Sequence, residues 1–407
     1  SKKVILLCGP KKLQKKIINL CNNNKIFFVI RNNNDFRFYH LILNFINFFL
    51  FSKKIFHYSP INYYKKEKNM TKFFENFFAK IKTNEIVHFE KKLHKILSNY
   101  CENQISLKKN LTEFLENYHF NFAIVDQLRF DVATILSSIV KEKGIDVILV
   151  PHGSLSTPNN QVTKFMYSIS GKGLLFSSLA SHVVAQTKIS YESIKYFDNK
   201  LKILKSKKIM FGEKKIYFST TKSKIQTFLH ASTPKSLYKW PWIHETYTEY
   251  IFNLKKIINA LECHNNVKLI VRYRPSPECD FKKFNEILNL EQHEFVELSK
   301  NKNFTDDLSI SDYLISFSST VIEEGLSYNK PVIVYSGSKN YKHINYDFND
   351  QKSIYFLNDK NLEKSINLIV NNDISKINNN INWSDKDLLK DSLFSYLVRQ
   401  DNFLETQ

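Results

Sequence analysis

Cysteine is scarce in this chain, and its spacing excludes two kinds of site. The 407 residues include five cysteines, and no two of them form a CxxC pair: Cys8, Cys21, Cys101, Cys263 and Cys279. A zinc site or a disulfide framework needs closely spaced or paired cysteines, so neither is expected. Isolated thiols of this kind fit a reducing cytoplasm.

No apolar run is long enough to span a bilayer. The stretch His40–Phe51 is very apolar but only about 12 residues long, against the roughly 20 that a spanning helix needs, and it contains Asn44 and Asn47. We predict a buried helix here. An interfacial helix flanked by Lys53 and Lys54 is the alternative. The apolar part of the first residues is too short for a signal peptide, and we expect it to open a strand.

Acidic residues are few relative to basic ones. The chain has 59 Lys and Arg against 39 Asp and Glu, a formal net charge of +20. Such an excess suggests an anionic partner: nucleic acid, an anionic membrane face or an acidic metabolite. Lysine is spread along the whole chain with Asn, Phe and Ile, as in the codon usage of an AT-rich genome, and no nucleic-acid-binding motif is present. We therefore expect no nucleic-acid partner.

Strand and helix patterns alternate in two long halves. Residues 3–8, 11–21 and 25–30 read as strand, helix and strand, the usual start of a Rossmann-like domain, although no GxGxxG motif follows the first strand. With 43% hydrophobic residues the chain can bury two sizeable cores. We predict an α/β fold of two Rossmann-like domains facing across a cleft. Residues 1–212 and 213–383 form the domains, and a helix in 384–407 packs back toward the first.

Two candidate catalytic residues end neighbouring predicted strands of the first half. Asp126 closes the strand Phe122–Asp126, and His152 follows the strand Asp146–Val150 within a Pro-His-Gly turn. Parallel strands meet at one sheet edge, where ligands of such folds bind. A helix N-cap for Asp126 and an ordinary turn residue for His152 are the alternatives.

The candidate ligand-binding residues end three predicted strands of the second half. Arg272 and Arg274 alternate along one strand and suit a phosphate group, although surface ion pairing would also explain them. Three hydroxyl residues precede a helix start, where they either help to bind an anion or only cap the helix. A carboxylate one turn further in can accept hydrogen bonds from ribose hydroxyls or be a solvated first-turn acid. The remaining predicted ligand-binding residues are His230, Ser232, Ser318, Ser319, Thr320, Glu323 and Glu324.

These motifs resemble those of a known group. Val150–Gly153 resembles the His-Gly turn of capsule and teichoic-acid transferases, Arg272–Pro275 is similar to their Arg/Lys-Pro-His-Pro element with Ser276 in place of the His, and Asp312–Thr320 resembles their donor-phosphate loop. The resemblance is to GT-B glycosyltransferases of bacterial surface-polysaccharide biosynthesis, including capsule and lipopolysaccharide. The paired serines also resemble the motif of GT-B sialyltransferases, which use CMP-sugars. The Glu-Glu-Gly and Lys-Pro run from Glu323 to Pro331 further resembles that of UDP-N-acetylglucosamine 2-epimerases.

The resemblance implies a glycosyltransferase that moves a sugar from a nucleotide donor, with a CMP-sugar favoured, to a glycan or lipid-linked glycan. No DxD motif stands at a suitable strand end, so we expect no metal and no cofactor. Asp126 would be the general base and His152 would orient it or bind the donor. The reverse assignment and a nucleophilic Asp126 remain open. The expected location is cytoplasmic, peripheral to the inner membrane and on its anionic surface. The alternatives are a UDP-N-acetylglucosamine 2-epimerase-like enzyme and a non-catalytic scaffold of polysaccharide assembly.

Overall fold

The computed structural model describes the larger part of the chain. The described residues are 4–21, 26–30, 54–58, 87–129, 131–155, 161–198, 200–207, 209, 225–232, 246–275, 279–317, 319–337, 354–371, 382–389 and 392–399. The apolar stretch His40–Phe51, the predicted domain boundary at 212–213 and Ser318 lie outside them.

The first half of the chain builds a parallel sheet. Its strands are β1 (Val4–Cys8), β2 (Ile26–Ile30), β3 (Lys54–Tyr58), β4 (Phe122–Val125), β5 (Asp146–Leu149), β6 (His182–Ala185) and β7 (Lys202–Lys205). They pair in the order β3-β2-β1-β4-β5-β6-β7. All residues of β4 and β6 are buried, as expected for strands of a parallel sheet covered on both faces.

Helices connect these strands. They are α1 (Lys11–Leu20), α2 (Val87–Glu116), α3 (Asp131–Glu142), α4 (Gln161–Gly171) and α5 (Lys188–Phe197). Helix α5 begins at a capping box, in which Thr187 and Ser190 each accept a backbone N–H of the other. This cap fixes the place where the chain leaves β6, and it becomes important at the candidate site.

The second half repeats the plan. Its strands are β8 (Gln226–Ala231), β9 (Val267–Arg272), β10 (Val296–Leu298), β11 (Tyr313–Ser316), β12 (Val332–Tyr335) and β13 (Ile354–Leu357), in the order β10-β9-β8-β11-β12-β13. Its helices are α6 (Tyr247–Glu262), α7 (Phe281–Leu288), α8 (Phe304–Ile310), α9 (Val321–Ser327) and α10 (Leu362–Asn371). The two parallel sheets with their helices confirm the predicted α/β class.

Each sheet has one switch point, where the strand order reverses direction. In the first sheet it lies between β1 and β4, and in the second between β8 and β11. Ligands of doubly wound sheets bind beyond the carboxyl ends of the strands at such points. The fold therefore offers two places for a site, one in each half.

The two halves are in direct contact. Ile189 of α5 packs with Ile322 and Leu326 of α9 in one hydrophobic cluster. A later segment joins them again, because Asn382 donates to the Ser327 carbonyl at 3.0 Å and Trp383 donates to the Ala185 carbonyl at 2.9 Å. The last described helix, α11 (Leu393–Arg399), packs on the first sheet through Leu393 and Leu397.

Every helix in the described part of the chain falls short of the length and apolarity needed to cross a bilayer.

Candidate functional site

Asp126 lies at the switch point of the first sheet. It follows β4 directly, beside the end of β1, and a Cβ added to Gly9 would lie 3.2 Å from its Oδ1 atom. Burial raises the pKa of Asp126 to about 6, and the backbone N–H groups of Asp126 and Gln127 lower it in part. The carboxylate is therefore mostly ionised at neutral pH and still basic enough to accept a proton.

His152 stands at the tip of the turn after β5, in residues 151–154, which we call the His152 turn. The turn opens to solvent at His152, whereas Gly153 and Ser154 are buried. Partial desolvation lowers the pKa of His152, and the positive charge of Lys12 lowers it further. At neutral pH the imidazole is therefore mainly neutral, the form that can accept a proton.

The second half carries a pocket of about 410 Å³ at its switch point. Its lining comes from the ends of β8 and β9 and from the segments that follow β10 and β11. Its lining includes Ser232, Arg272, Arg274, Phe281 and Ser319. Four of the predicted ligand-binding residues therefore meet in one cavity.

The guanidinium of Arg272 is occupied by the protein itself. It donates to Oδ2 of Asp307 at 2.6 Å and to the carbonyls of Asn301 and Lys302 at 3.0 Å. Asp307 is fully buried and also accepts from Ser299 at 2.6 Å. Arg272 thus connects the loop that follows β10 with helix α8. This arrangement agrees with the ion-pairing alternative better than with the predicted phosphate contact.

Arg274 differs from its neighbour. It comes after the end of β9, is exposed, and lines the pocket. No hydrogen bond or ion pair joins it to the described part of the chain. Its guanidinium is available to an anionic ligand.

Ser232 and His230 are buried, at 6% and 4% exposure, and both lack a partner for a polar atom among the described residues. Ser232 lines the pocket, and its Oγ atom is buried behind the pocket surface. His230 is not among the lining residues, and its ring lies 5.5 Å from that of Tyr250. Burial lowers the pKa of His230 to about 4, so the ring is neutral at pH 7.

The hydroxyl residues before α9 divide between two tasks. Ser319 lines the pocket, and its Oγ also accepts the Val321 N–H at 3.4 Å, whereas the N-cap residue Thr320 makes no side-chain cap hydrogen bond. Thr320 lies against the first half, because a Cβ added to Gly153 would come within 2.8 Å of its Cγ2 atom. Helix α9 has only 7 residues, so its N-terminus offers little dipole to an anion.

Glu323 is not free to contact a nucleotide. It is fully buried, and Ser154 donates to its Oε2 atom from both the backbone N and Oγ, at 2.9 and 2.8 Å. The hydroxyl of Thr187 donates to Oε1. Burial raises the pKa of Glu323, and these hydrogen bonds lower it in part. The predicted ribose contact therefore does not apply to Glu323, whereas half-buried Glu324 stays a candidate.

The contacts of Thr320 and Glu323 connect the pocket of the second half with the His152 turn of the first half. The loop that lines the pocket at Ser319 continues directly into the residues that touch the His152 turn. Sequence reasoning missed the first-half partners, Ser154 and Thr187. Thr187 is recognisable as a helix cap, but no sequence signal pairs it with a carboxylate 136 residues later.

Known proteins resemble this chain in structure but not in sequence. No protein-family model matches the chain, and no curated protein sequence does. Among solved structures, it is similar to a putative UDP-N-acetylglucosamine 2-epimerase from Listeria monocytogenes, with a TM-score of 0.54, 11% identity, and coverage of 95% of this chain and 93% of that one.

Two more structures are similar at a comparable level. The UDP-GlcNAc 2-epimerase of Methanocaldococcus jannaschii, in complex with UDP-GlcNAc and UDP, has a TM-score of 0.50, 12% identity and 100% coverage of both chains. The glycotransferase of kitacinnamycin has a TM-score of 0.50, 8% identity and 92% coverage of both. At such identities the similarity establishes the fold alone, and it confirms the two-domain GT-B architecture.

Proposed function

We propose that this chain is a sugar-nucleotide enzyme that binds a uridine diphosphate sugar in the pocket of the second half. Proton transfer is assigned to Asp126 and His152 of the first half. The observation that carries the proposal is the junction between the two sites. One loop lines the pocket at Ser319 and, at Thr320 and Glu323, contacts the turn that carries His152.

The pocket suits a nucleoside diphosphate. Arg274 supplies a positive charge with no ion pair among the described residues, and Ser232 brings a buried hydroxyl group that has no hydrogen-bond partner among those residues. A charged group and a few polar groups in a concave pocket are typical of a site that orients an anionic ligand. Uridine diphosphate is our first candidate because an enzyme of the same fold holds UDP-GlcNAc and UDP.

The CMP-sugar favoured by the sequence has less support. That preference rested on the paired Ser318 and Ser319, of which Ser318 lies outside the described residues. The Oγ of Ser319 is also engaged by the Val321 N–H. CMP therefore enters the proposal as a competing ligand to be tested.

For the reaction we favour epimerisation at the sugar carbon next to the anomeric centre. The proton on this carbon is taken as the C1–O bond to UDP breaks, which leaves a C1–C2 double bond and releases UDP. Water then supplies hydroxide to C1 while a proton is delivered to the other face of C2, which gives the free epimer, so two proton-transfer groups are needed. The first half offers two, a carboxyl group of pKa about 6 and an imidazole whose pKa is lowered. UDP-N-acetylglucosamine is the substrate that we would test first.

Glycosyl transfer is the second candidate. It requires only one general base, and the solvent-open side of His152 leaves space for an acceptor hydroxyl. A glycan or lipid-linked glycan would then be the acceptor.

The test combines binding with product analysis. Thermal unfolding is measured with UDP, CMP, CDP and GDP, because a ligand that binds only the folded chain raises Tm. The chain is then incubated with UDP-N-acetylglucosamine, and UDP and N-acetylmannosamine are quantified. Stabilisation by UDP with release of N-acetylmannosamine is the expected result. UDP release only when a glycan is added would favour transfer. Stabilisation by CMP alone would overturn the choice of nucleotide, and binding of no nucleotide would support a scaffold.

A further inference from the structure

A buried carboxylate joins the two halves at the His152 turn. Both oxygens of Glu323, which belongs to α9, are occupied by donors of the first half. Ser154 donates from its backbone N and its Oγ at 2.9 and 2.8 Å, and Thr187 donates from its hydroxyl. We call this set of hydrogen bonds the interdomain tie.

The backbone on the other side of His152 is held as well. The side-chain amide of buried Gln186 donates to the Pro151 carbonyl at 2.7 Å, and its oxygen accepts the N–H of Ile209 at 2.7 Å. Glu323 holds the turn two residues after His152, and Gln186 holds it one residue before. Only one of these supports comes from the half that contains the pocket.

Holding the two halves together is not a sufficient explanation for the interdomain tie. Removing a carboxylate from water is costly, and well-packed apolar side chains join two surfaces at least as well. The neighbouring contact of Ile189 with Ile322 and Leu326 already does so. A carboxylate that accepts two hydrogen bonds from the His152 turn and a third from the cap of α5 instead fixes the orientation of that turn.

We propose that Glu323 is the positioning residue for His152, holding the imidazole at a set place relative to the pocket of the second half. This inference rests on the proposed function and deepens it. Glu323 contacts no ligand itself. It lies four residues after Ser319, so the segment that lines the pocket also sets the position of the proton-transfer group. Misplacing a catalytic group by about 1 Å can cost a hundredfold in rate.

The kinetic test is a double-mutant cycle. Glu323→Gln keeps the shape of the side chain but replaces one acceptor by a donor, so it breaks the interdomain tie. We expect kcat to fall by roughly tenfold to a hundredfold while the Kd for UDP changes less than about twofold. In a His152→Ala background the same substitution should cause no further loss of kcat. Glu192→Gln removes an exposed carboxylate from α5 and serves as the control, with wild-type kinetics expected.

An equal loss of kcat in both backgrounds would show that Glu323 acts independently of His152 and would overturn the inference, as would an unchanged rate. If Glu323→Gln fails to fold, Ser154→Ala and Thr187→Val each remove one donor of the interdomain tie and replace it in the cycle.

A second measurement does not depend on turnover. The pKa of His152 is read by NMR titration, with its signal assigned by its loss in His152→Ala. The ring is only partly desolvated in the wild type, and releasing the turn should remove this remaining desolvation, so in Glu323→Gln the pKa should rise toward the ordinary histidine value, with Lys12 still facing the ring. An unchanged pKa would contradict the inference. If the wild-type chain turns over no sugar nucleotide, the proposed function fails, and this titration still decides whether Glu323 positions His152.

Discussion

Two arginines that are two residues apart have different surroundings, and this leads to opposite predictions. Arg272→Met leaves the buried carboxylate of Asp307 without its charged partner, so the free energy of unfolding should fall by roughly 3 kcal/mol. Arg274→Met removes only an exposed guanidinium, so stability should change by less than about 0.5 kcal/mol. Its effect should appear in UDP affinity, as a loss of about 1.5–3 kcal/mol, the usual size for a hydrogen bond to a charged group.

Chemical denaturation and calorimetric titration of both variants measure the two quantities separately. If Arg274→Met binds UDP as the wild type does, the anion site does not include this residue. If Arg272→Met is as stable as the wild type, the ion pair with Asp307 contributes no net stability.

Asp126 gives a prediction about pH. Its pKa is raised to about 6, and a general base acts only when ionised, so kcat/KM should be low in acid and rise as the pH passes about 6. Asp126→Asn should lower kcat by roughly two orders of magnitude and abolish this limb, while UDP affinity stays the same. The measurement is a pH profile of initial rates for both proteins. If kcat/KM of Asp126→Asn still rises as the pH passes about 6, a group other than Asp126 is responsible for the pH dependence.

The positions of some of these groups could be predicted from the sequence, whereas their long-range partners could not, for a physical reason. Asp126, His152 and Arg274 follow apolar runs, and a strand that ends in a polar residue is visible as a local pattern. The partners of Arg272 and Glu323 are not local. Asp307 is 35 residues from Arg272, and Ser154 is 169 residues from Glu323. Whether a carboxylate binds a ligand or another part of the chain depends on packing that local pattern does not contain.

The His152 turn depends on close approach of two loops. Gly153 faces Thr320 so tightly that an added Cβ would lie 2.8 Å from Cγ2. Gly153→Ala should therefore force the loops apart and lower stability by roughly 1–3 kcal/mol, the usual cost of overpacking. It should also reduce kcat, since His152 moves with the turn.

A second substitution provides the control for this prediction. Thr320→Ser removes the methyl group that an added Cβ would strike, so it should restore part of the stability and of the rate when combined with Gly153→Ala. Denaturation curves and initial rates of the two single variants and the double variant measure this. No rescue would mean that the cost arises from the backbone of the turn rather than from Thr320.

At the level of elements, the alternation of strands and helices could be predicted from the sequence. The contact between helix α9 and the first half of the chain could not. A strand followed by hydroxyl residues and a helical pattern predicted an anion site at the start of this helix. The structure gives a helix of 7 residues that packs on the second sheet and also contacts the first half, through Ile189 and through the hydrogen bonds of Glu323. The switch from ligand contact to interdomain contact between Ser319 and Thr320 depends on how the halves meet.

The net charge of the whole chain gives a further prediction. With a formal charge of +20, the protein should bind vesicles that contain anionic lipids, and rising salt should release it as the charges are screened. Sedimentation with anionic and neutral vesicles at two salt concentrations measures this. Equal binding to both kinds of vesicle at low salt would remove the electrostatic explanation and leave an apolar contact to be sought.

Over the whole molecule, our central proposal is that the pocket of the second half holds a uridine diphosphate sugar against the proton-transfer groups of the first. Hydrogen–deuterium exchange at the sugar tests it most directly. UDP-N-acetylglucosamine is incubated with the protein in D₂O and followed by proton NMR. We expect the signal of the C2 proton to be lost with the wild type and kept with Asp126→Asn and His152→Ala. A sugar nucleotide that binds but keeps its C2 proton, or equal exchange in all three proteins, would contradict it.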